Sequence, residues 1–172
     1  MKKYLLIAIV ALSTALSASA EKGDFSLGGQ FVYASYNPMA GLGVQMQIEP
    51  ITNWRIAPEF TYYLKIDDWS GLNANVNIHY VIPTSTSFAI YPLAGFSFGH
   101  FKYEEKGEKH FFDHDGPLYG AESQSYDRCG ANVGMGAEYM LNEKLTFFSE
   151  ERFQIMKDWN QSVTVLGLKY TF

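Results

Sequence analysis

The sequence predicts an all-β protein whose chain forms a closed antiparallel eight-stranded transmembrane β-barrel. Three observations support this fold class: an N-terminal segment typical of exported proteins, eight later segments in which apolar and polar residues alternate, and a C-terminus with aromatic residues at alternate positions. Alternation with a period of two places successive side chains on opposite faces of a strand. The remaining question is which face meets lipid.

Residues 1–20 have the pattern of a cleaved signal peptide. Lys2 and Lys3 precede an apolar stretch at residues 4–16, and Ala18-Ser19-Ala20 gives the small-x-small pattern that precedes cleavage. The apolar stretch is shorter than the about 20 residues that a membrane-spanning helix needs. We therefore expect a signal peptide over residues 1–20 and a barrel domain over residues 21–172.

The composition argues against several classes of protein. Without residues 1–20, 11 basic residues face 18 acidic ones, a net charge of −7, whereas a nucleic-acid partner would favour a basic surface. Cys129 is the single cysteine, so no intramolecular disulfide can form. The chain holds 12 Tyr, 13 Phe and 3 Trp and no later apolar run as long as a membrane helix, which favours β-structure.

The eight alternating segments follow one another along residues 25–172. They are residues 25–35, 41–50, 54–65, 72–82, 87–102, 128–140, 144–156 and 162–172. The fourth is the most regular, because apolar residues at even positions from Leu72 to Ile82 alternate with Asn73, Asn75, Asn77 and His79. In the seventh, Leu145, Phe147, Phe153 and Ile155 oppose Thr146, Glu150, Arg152 and Gln154.

A soluble β-sandwich or lipocalin-like barrel would bury the apolar phase, whereas a membrane barrel turns it toward lipid and its polar phase toward the lumen. The segments exceed the about 5–6 residues of a common soluble strand, and aromatic residues lie near their ends. We therefore favour the membrane barrel. Its short turns at Thr52-Asn53, 83–86 and Asn142-Glu143 would face the periplasm, as would both termini. Loops at 37–40, 66–70, 103–126 and 157–161 would face the exterior.

The chain resembles the small outer-membrane β-barrel family that includes OmpX-like and OmpA-transmembrane-like proteins. It is most similar to the outer membrane protein beta-barrel domain (porin-family) proteins of Bacteroides-type bacteria. The segments that carry the resemblance are 41–45, 54–60, 132–139 and 167–172, the last of which looks like the β-signal read by the barrel-assembly machinery. The resemblance implies an outer-membrane location and that assembly partner. It implies no single activity, because one fold hosts several.

Charged residues occur in both phases of the predicted strands. The inward phase contains Glu49, Glu59, Glu138, Glu150, Arg55, Lys65 and Arg152. Because buried charges must be paired, we expect these residues to form an ion-pair network that fills the narrow lumen. Glu151 instead falls in the lipid-facing phase near mid-span, where charge is unfavourable, and a bulge or a position nearer the surface would accommodate it.

Two groups of residues suggest chemistry without establishing it. His110, Asp113, His114 and Asp115 could ligate a divalent metal if the segment were helical, although a solvated loop is the simpler interpretation. Asp113-x-Asp115-Gly116 matches only the start of a calcium-binding loop. Ser97, His100 and Asp127 lie toward one barrel end, but an offset of three places Ser97 and His100 on opposite faces of a strand. We therefore predict no catalytic, cofactor-binding or metal site.

The expected function is that of a non-enzymatic integral outer-membrane protein with a structural, envelope-integrity or adhesive role through its extracellular loops. A lipid-modifying enzyme acting at the outer rim is the alternative, and a narrow channel is the third. We expect a monomer that contacts outer-membrane lipids, needs no cofactor, and can bind an external ligand through residues 103–126.

Overall fold

The computed structural model describes residues 25–36, 38–66, 68–104 and 123–172. The strands are β1 Phe25–Ala34, β2 Met39–Ile51, β3 Trp54–Ile66, β4 Trp69–Tyr80, β5 Ile82–Pro83, β6 Phe88–Glu104, β7 Ser123–Met140, β8 Leu145–Met156 and β9 Gln161–Thr171. All of their pairings are antiparallel. In this part of the chain, no helix has the length and apolar character needed to span a membrane.

The sheet closes on itself. Strands that are consecutive in the chain pair with each other, β1 pairs with β9, and β4 pairs with β6. The two-residue β5 continues β4, because the register with β6 runs unchanged from His79↔Leu93 to Ile82↔Ile90. The structure is therefore the predicted closed antiparallel barrel of eight strands.

The outer wall of the barrel is apolar and its polar phase points inward, as predicted. Phe96 on β6 is 78 % exposed, whereas Asn77 on β4 is fully buried. Aromatic side chains mark the ends of the wall, including Trp54 beside Tyr80 and Phe25 beside Phe172. A wall of this kind is stable only in contact with lipid, since exposure of a continuous apolar surface to water is unfavourable.

The two ends of the barrel differ in one connection. We call the end with Phe25, Phe172 and the connections 52–53, 84–87 and 141–144 the turn end, and the opposite end the loop end. The loop-end connections are 35–38, 67–68, 157–160 and the much longer 105–122. Asn53, Asp68 and Asp158 adopt positive φ angles of 68°, 67° and 61° in three of the short connections, a conformation that Asn and Asp tolerate better than most residues.

Two predicted loops are shorter than the sequence suggested. Residues 66–70 were expected to form a loop, but Ile66 pairs with Trp69 and only residues 67–68 connect the strands. The predicted loop over 103–126 begins after Glu104 and ends before Ser123, because Tyr103 pairs with Gln124 and continues the β6–β7 ladder. Polar residues extend these strands beyond the apolar wall, so composition alone marked them as loop.

The lumen is not polar throughout, which corrects the expectation from alternation. It contains an apolar core that reaches the loop end and is made of Val32, Ala34, Met39, Tyr63, Phe101, Phe148, Met156, Trp159, Val163 and Val165. An eight-stranded barrel is narrow enough for side chains to fill its interior, so inward residues at this end pack against each other as in a soluble core. Added side chains at the inward Gly71 and Gly99 would collide with the Phe101 ring.

Candidate functional site

The middle of the lumen contains three charged side chains, which we call the central cluster: Glu59, Glu150 and Arg152. The Arg152 guanidinium lies 2.5 Å from a Glu59 oxygen and 3.5 Å from a Glu150 oxygen, and both carboxylate side chains are 0 % exposed. One cation and two carboxylates are a costly set to bury, since desolvation of each ion costs several kcal/mol. The cluster therefore depends on further hydrogen bonds.

Neutral side chains supply those hydrogen bonds. Gln30 and Gln45 donate to Glu59 at 3.2 and 3.3 Å. Gln45 also donates to Glu150 at 3.2 Å, and the Tyr91 hydroxyl donates to Glu150 at 3.0 Å. The donors come from three different strands, so the cluster ties opposite walls of the barrel together. This arrangement fits a structural role, and it confirms the predicted ion-pair network for Glu59, Glu150 and Arg152.

A second group, the turn-end cluster, consists of Arg55, Glu138 and Lys169. Arg55 donates two hydrogen bonds to the Glu138 carboxylate at 2.9 and 3.2 Å, and Lys169 donates to Glu138 and, at 2.7 Å, to Gln47. The cluster borders a polar pocket of about 170 Å³. Glu49 lies 3.9 Å from Arg55 with its side chain 32 % exposed, so it belongs to the edge of this cluster. Lys169 was not among the predicted network residues, although its alternation phase marks it as inward.

Lys65 does not take part in either cluster, which corrects the prediction that placed it in the lumen. Its ammonium contacts the Glu104 carboxylate, with side chains that are 45 and 49 % exposed. By alternation Lys65 has the inward phase, but it is the penultimate residue of β3 and stands at the rim. A long charged side chain at that position extends toward solvent rather than into the lumen.

The loop end is closed by stacked aromatic rings, which we call the aromatic cap: Tyr36, Tyr63, Trp69, Phe101 and Trp159. Trp159 lies in the four-residue connection between β8 and β9 but is only 4 % exposed. Its ring stacks on Phe101 at 5.0 Å and lies 5.1 Å from Trp69 and 4.8 Å from Tyr36. The sequence interpretation placed Trp159 in an ordinary loop and missed this role. A large apolar residue in so short a connection was the available signal.

Together the three groups occupy the described lumen from one end to the other. The buried apolar cluster of Val81, Ala89, Tyr91 and Leu93 fills further space between them. Such an interior suits a packed scaffold rather than a conducting pore, which needs more strands to enclose water.

The ladder between β6 and β7 extends beyond the rest of the barrel. β7 pairs with β8 only from Gly130↔Met156 onward, whereas its pairing with β6 continues to Glu104↔Ser123. Within the described ranges, the other edge of Ser123–Cys129 has no strand neighbour. We call this segment the free edge. Its exposed side chains include Gln124, Ser125 and Asp127.

The Ser97, His100 and Asp127 set does not assemble a catalytic triad. Ser97 is 4 % exposed inside the lumen, where its hydroxyl accepts hydrogen bonds from Asn73 at 3.0 Å and Gln154 at 3.3 Å. His100 lies on the outer face and contacts Asp127 at 2.6 Å. The prediction that Ser97 and His100 point to opposite faces is therefore confirmed.

The candidate metal ligands His110, Asp113, His114 and Asp115, together with Gly116, lie outside the described residues. Within the described strands and turns, no group of three or more His, Cys, Asp or Glu side chains is arranged to hold a metal ion. The metal hypothesis for residues 110–115 remains a prediction from sequence.

Glu151 lies on the lipid-facing wall, as its phase predicts, and no bulge redirects it. The register runs without a shift through Met135↔Glu151 on one side and Glu151↔Thr164 on the other. The Thr164 hydroxyl donates a hydrogen bond to the Glu151 carboxylate at 2.6 Å. A bulge is therefore the wrong explanation, and the carboxylate is held by a neighbouring strand.

Comparison with known proteins agrees with this geometry. The family model described as "Outer membrane protein beta-barrel domain" matches residues 4–172. The chain belongs to this family. Outer-membrane location and the barrel fold follow from membership and from the structural neighbours. No curated protein matches the chain.

Several solved structures share the fold of this outer-membrane barrel at low sequence identity. The N-terminal β-barrel domain of Pseudomonas aeruginosa OprF is 14 % identical with a TM-score of 0.61, covering 88 % of this chain and 100 % of that one. Yersinia pestis Ail, the attachment invasion locus protein, is 15 % identical with a TM-score of 0.60 over the same shares. Neisserial surface protein A is 14 % identical with a TM-score of 0.62, covering 89 and 100 %. At such identities the likeness shows the fold alone.

Proposed function

We propose that this protein is a non-enzymatic surface-interaction protein of the outer membrane, which binds an external protein at the free edge of β7. The observation that carries the proposal is the outer edge of Ser123–Cys129, which has no strand partner among the described residues and stands above a lumen filled with side chains. A strand edge presents unpaired N–H and C=O groups, so an extended peptide can add to it as a further strand.

The orientation that this function requires has its own support. The longest connection, residues 105–122, is at the loop end, and outer-membrane barrels place their longer loops outside. We propose that the loop end faces the exterior, that both termini lie in the periplasm, and that residues 1–20 are removed as a signal peptide. An epitope inserted at Gly116 should then be labelled on intact cells. Labelling only after permeabilisation would show the opposite orientation.

The charge at the free edge favours a peptide over a polyanion. Asp127 and Glu104 accompany Lys102 and Arg128 on the same two strands, so neither sign dominates. The structural neighbour Ail has been solved in complex with the heparin analogue sucrose octasulfate, a ligand whose chemistry calls for a basic surface. We infer that the partner of this chain is recognised mainly through backbone hydrogen bonds.

Two adjacent proline substitutions test the edge. Successive amides in a strand point to opposite sides, so one of Gln124→Pro and Ser125→Pro removes an outward amide and the other removes an amide of the β6–β7 ladder. Displayed decapeptides would be selected on the wild-type barrel in lipid nanodiscs. We expect the selected peptides to lose binding to the variant that lacks the outward amide, and to protect amides of residues 124–128 from hydrogen exchange.

Three other outcomes would count against the free edge. Equal binding of the selected peptides to wild type and both proline variants would show that the edge amides are not used. Protection confined to other strands would move the site elsewhere. The third outcome is that no peptide binds, while heparin binds in a salt-sensitive way that neither substitution changes. The site would then recognise charge rather than add a strand.

Insertion by the barrel-assembly machinery is a further part of the proposal. Phe172 is 55 % exposed, its ring lies 5.3 Å from Phe25, and its amide donates to the Phe25 carbonyl at 3.1 Å. Phe172→Ser should reduce the amount of folded barrel in cells, measured by heat-modifiable gel mobility, while signal cleavage continues. Phe25→Ser removes the same ring contact without changing the terminal residue. If both variants insert equally poorly, ring packing rather than a recognition signal explains the loss.

A further inference from the structure

Glu151 is the charged residue of the described wall that stands farthest from both barrel ends. On its strand it is flanked by outward aromatic residues, Phe147 at 40 % and Phe153 at 44 % exposure. It is six residues from the start of β8 and five from its end. With a rise of about 3.3 Å per residue and a tilt of about 45°, the carboxylate lies roughly 14 Å along the membrane normal from the strand start. That position is near the middle of an apolar band about 25 Å tall.

The cross-strand register gives the same depth by another route. A row of paired residues runs from Pro92 through Met135, Glu151 and Thr164 to Tyr33. Such rows climb the wall obliquely because the strands tilt. Tyr33 lies next to the last residue of β1 at the loop end, and Pro92 lies near the turn-end start of β6. Glu151 therefore lies between the two ends, where a carboxyl group meets hydrocarbon.

The surroundings of Glu151 have the shape and chemistry of a contact surface. A hollow of about 360 Å³ opens on the outer wall beside it, lined by Ile90, Pro92, Met135, Ala137, Ser149 and Glu151. The hollow exists because Ala137 and Ser149 are small, whereas Met135 at its border is 69 % exposed. We call this surface the Glu151 patch.

The carboxyl group itself is only partly satisfied by its own chain. Thr164 bonds Oε2 at 2.6 Å, and Oε1 has no hydrogen-bond partner among the described residues. Lipid tails offer none, and an unmatched polar group in hydrocarbon is unfavourable. A partner that brings hydrogen-bonding groups to this depth is therefore stabilising.

We propose that the Glu151 patch is the interface through which two copies of this barrel associate within the outer membrane. A two-fold interface requires a patch that complements itself, and this one carries both halves of each contact. The free carboxyl oxygen is matched by the hydroxyl of Ser149, and the hollow over Ala137 is matched by the protruding Met135. Small residues at a membrane interface allow close approach, and polar residues then bond across it.

A second copy is favoured over a cationic membrane partner by the residues present. A partner with Lys or Arg would satisfy the carboxylate, but it would explain neither the Ser149 hydroxyl nor the hollow beside a protruding side chain. The sequence expectation of a monomer rested on no particular residue. That expectation is untested, and the Glu151 patch favours a self-association whose contacts can be named.

The test uses the signal-processed, folded barrel in liposomes with Cys129 replaced by Ser. Ala137→Cys in that background places a thiol in the hollow, and Met135→Cys in a separate sample places one on the protruding side chain. We expect disulfide-linked dimers on mild oxidation when the two samples are mixed in one membrane. Val44→Cys on the opposite wall, where Val44 is 56 % exposed, is the matched control and should stay monomeric. Adding Glu151→Leu should lower the association constant on the order of tenfold, measured by single-molecule photobleaching. Glu151→Gln keeps hydrogen-bonding groups and should retain most of the association.

Heat-modifiable gel mobility must first show that each variant is folded, and Val44→Cys carrying Glu151→Leu provides a second folded reference. Wild-type barrels that stay monomeric at every protein-to-lipid ratio would overturn the proposal. So would dimers that persist unchanged in the Glu151→Leu variant. The proposal would also be overturned if, in native membranes, the Ala137→Cys variant formed disulfides only with a different protein. These outcomes leave the free edge untouched, since it lies beyond the membrane.

Discussion

The two halves of the lumen are filled by different kinds of interaction. Toward the loop end, Met39, Phe101 and Trp159 pack as a small hydrophobic core. In the middle, Arg152 holds two buried carboxylates within a set of neutral donors. Both are buried, but they respond differently to the loss of one side chain. A missing apolar group leaves a cavity, whereas a missing ion leaves an unpaired charge.

The comparison also explains why inward polar residues of this barrel are so specific in type. Gln30, Gln45 and Asn75 all donate to Glu59, so each amide is placed to offset the charge that Arg152 does not neutralise. The aromatic cap places no such demand on residue type. Other apolar side chains of similar volume would also fill the loop end of the lumen.

The largest effect is expected for removal of the central cation. Arg152→Ala leaves Glu59 and Glu150 buried side by side, which should lower the free energy of unfolding by about 3–5 kcal/mol. Urea denaturation of the barrel in lipid bilayers measures it. Adding Glu59→Gln should restore part of the loss, because coupled sites interact by about 0.5–3 kcal/mol.

Glu138→Gln in the Arg152→Ala background is the matched control. Glu138 bonds Arg55 and Lys169 in the turn-end cluster, so it should give no rescue. Equal rescue by Glu59→Gln and Glu138→Gln would mean that the two clusters act as one, and the distinction drawn between them would be wrong.

A smaller loss, about 3 kcal/mol, is expected for Trp159→Ala, at the lower end of the range for a buried Trp. The aromatic cap would open, but the central cluster would still block the lumen. Planar-bilayer recordings should therefore show no new conductance, while Trp159→Phe should retain most of the stability because it can still stack on Phe101. A steady conductance in Trp159→Ala would show that the cap alone closes the barrel.

The strand pattern and the faces of the wall could be predicted from sequence because the period of two is local and nearly unbroken. The inward placement of Glu59, Glu138, Glu150, Arg55 and Arg152 followed from phase alone. Which carboxylate meets which cation could not follow, since Arg152 and Glu59 are on β8 and β3 and meet only across the closed lumen. Closure, tilt and shear decide such contacts, and no local pattern encodes them.

The apolar core of the lumen was missed for a different reason. Phe101 and Phe148 share the inward phase with small or polar residues, and their rings fit because glycines lie opposite. A side chain added at Gly167 would collide with the Phe148 ring. Inward glycines opposite inward aromatic residues could therefore have predicted this apolar packing from the sequence. The strand end at Glu104 was misjudged because polarity near a strand end fits a loop as well as a rim.

The smallest effect on stability is expected for an ion pair at the rim, which has a similar N–O distance to the central pair but lies in water. Lys65 contacts Glu104 at 2.5 Å, as Arg152 contacts Glu59, but the rim side chains are 45 and 49 % exposed, against 1 and 0 % in the centre. Water solvates both rim ions when they separate, and salt screens their attraction. Lys65→Met should therefore leave the urea midpoint of the barrel unchanged within error at both low and high salt, with Glu104→Gln as the matching single variant. A midpoint shift comparable with that of Arg152→Ala would show that the rim pair is shielded from water, and that burial does not set the difference between these two ion pairs.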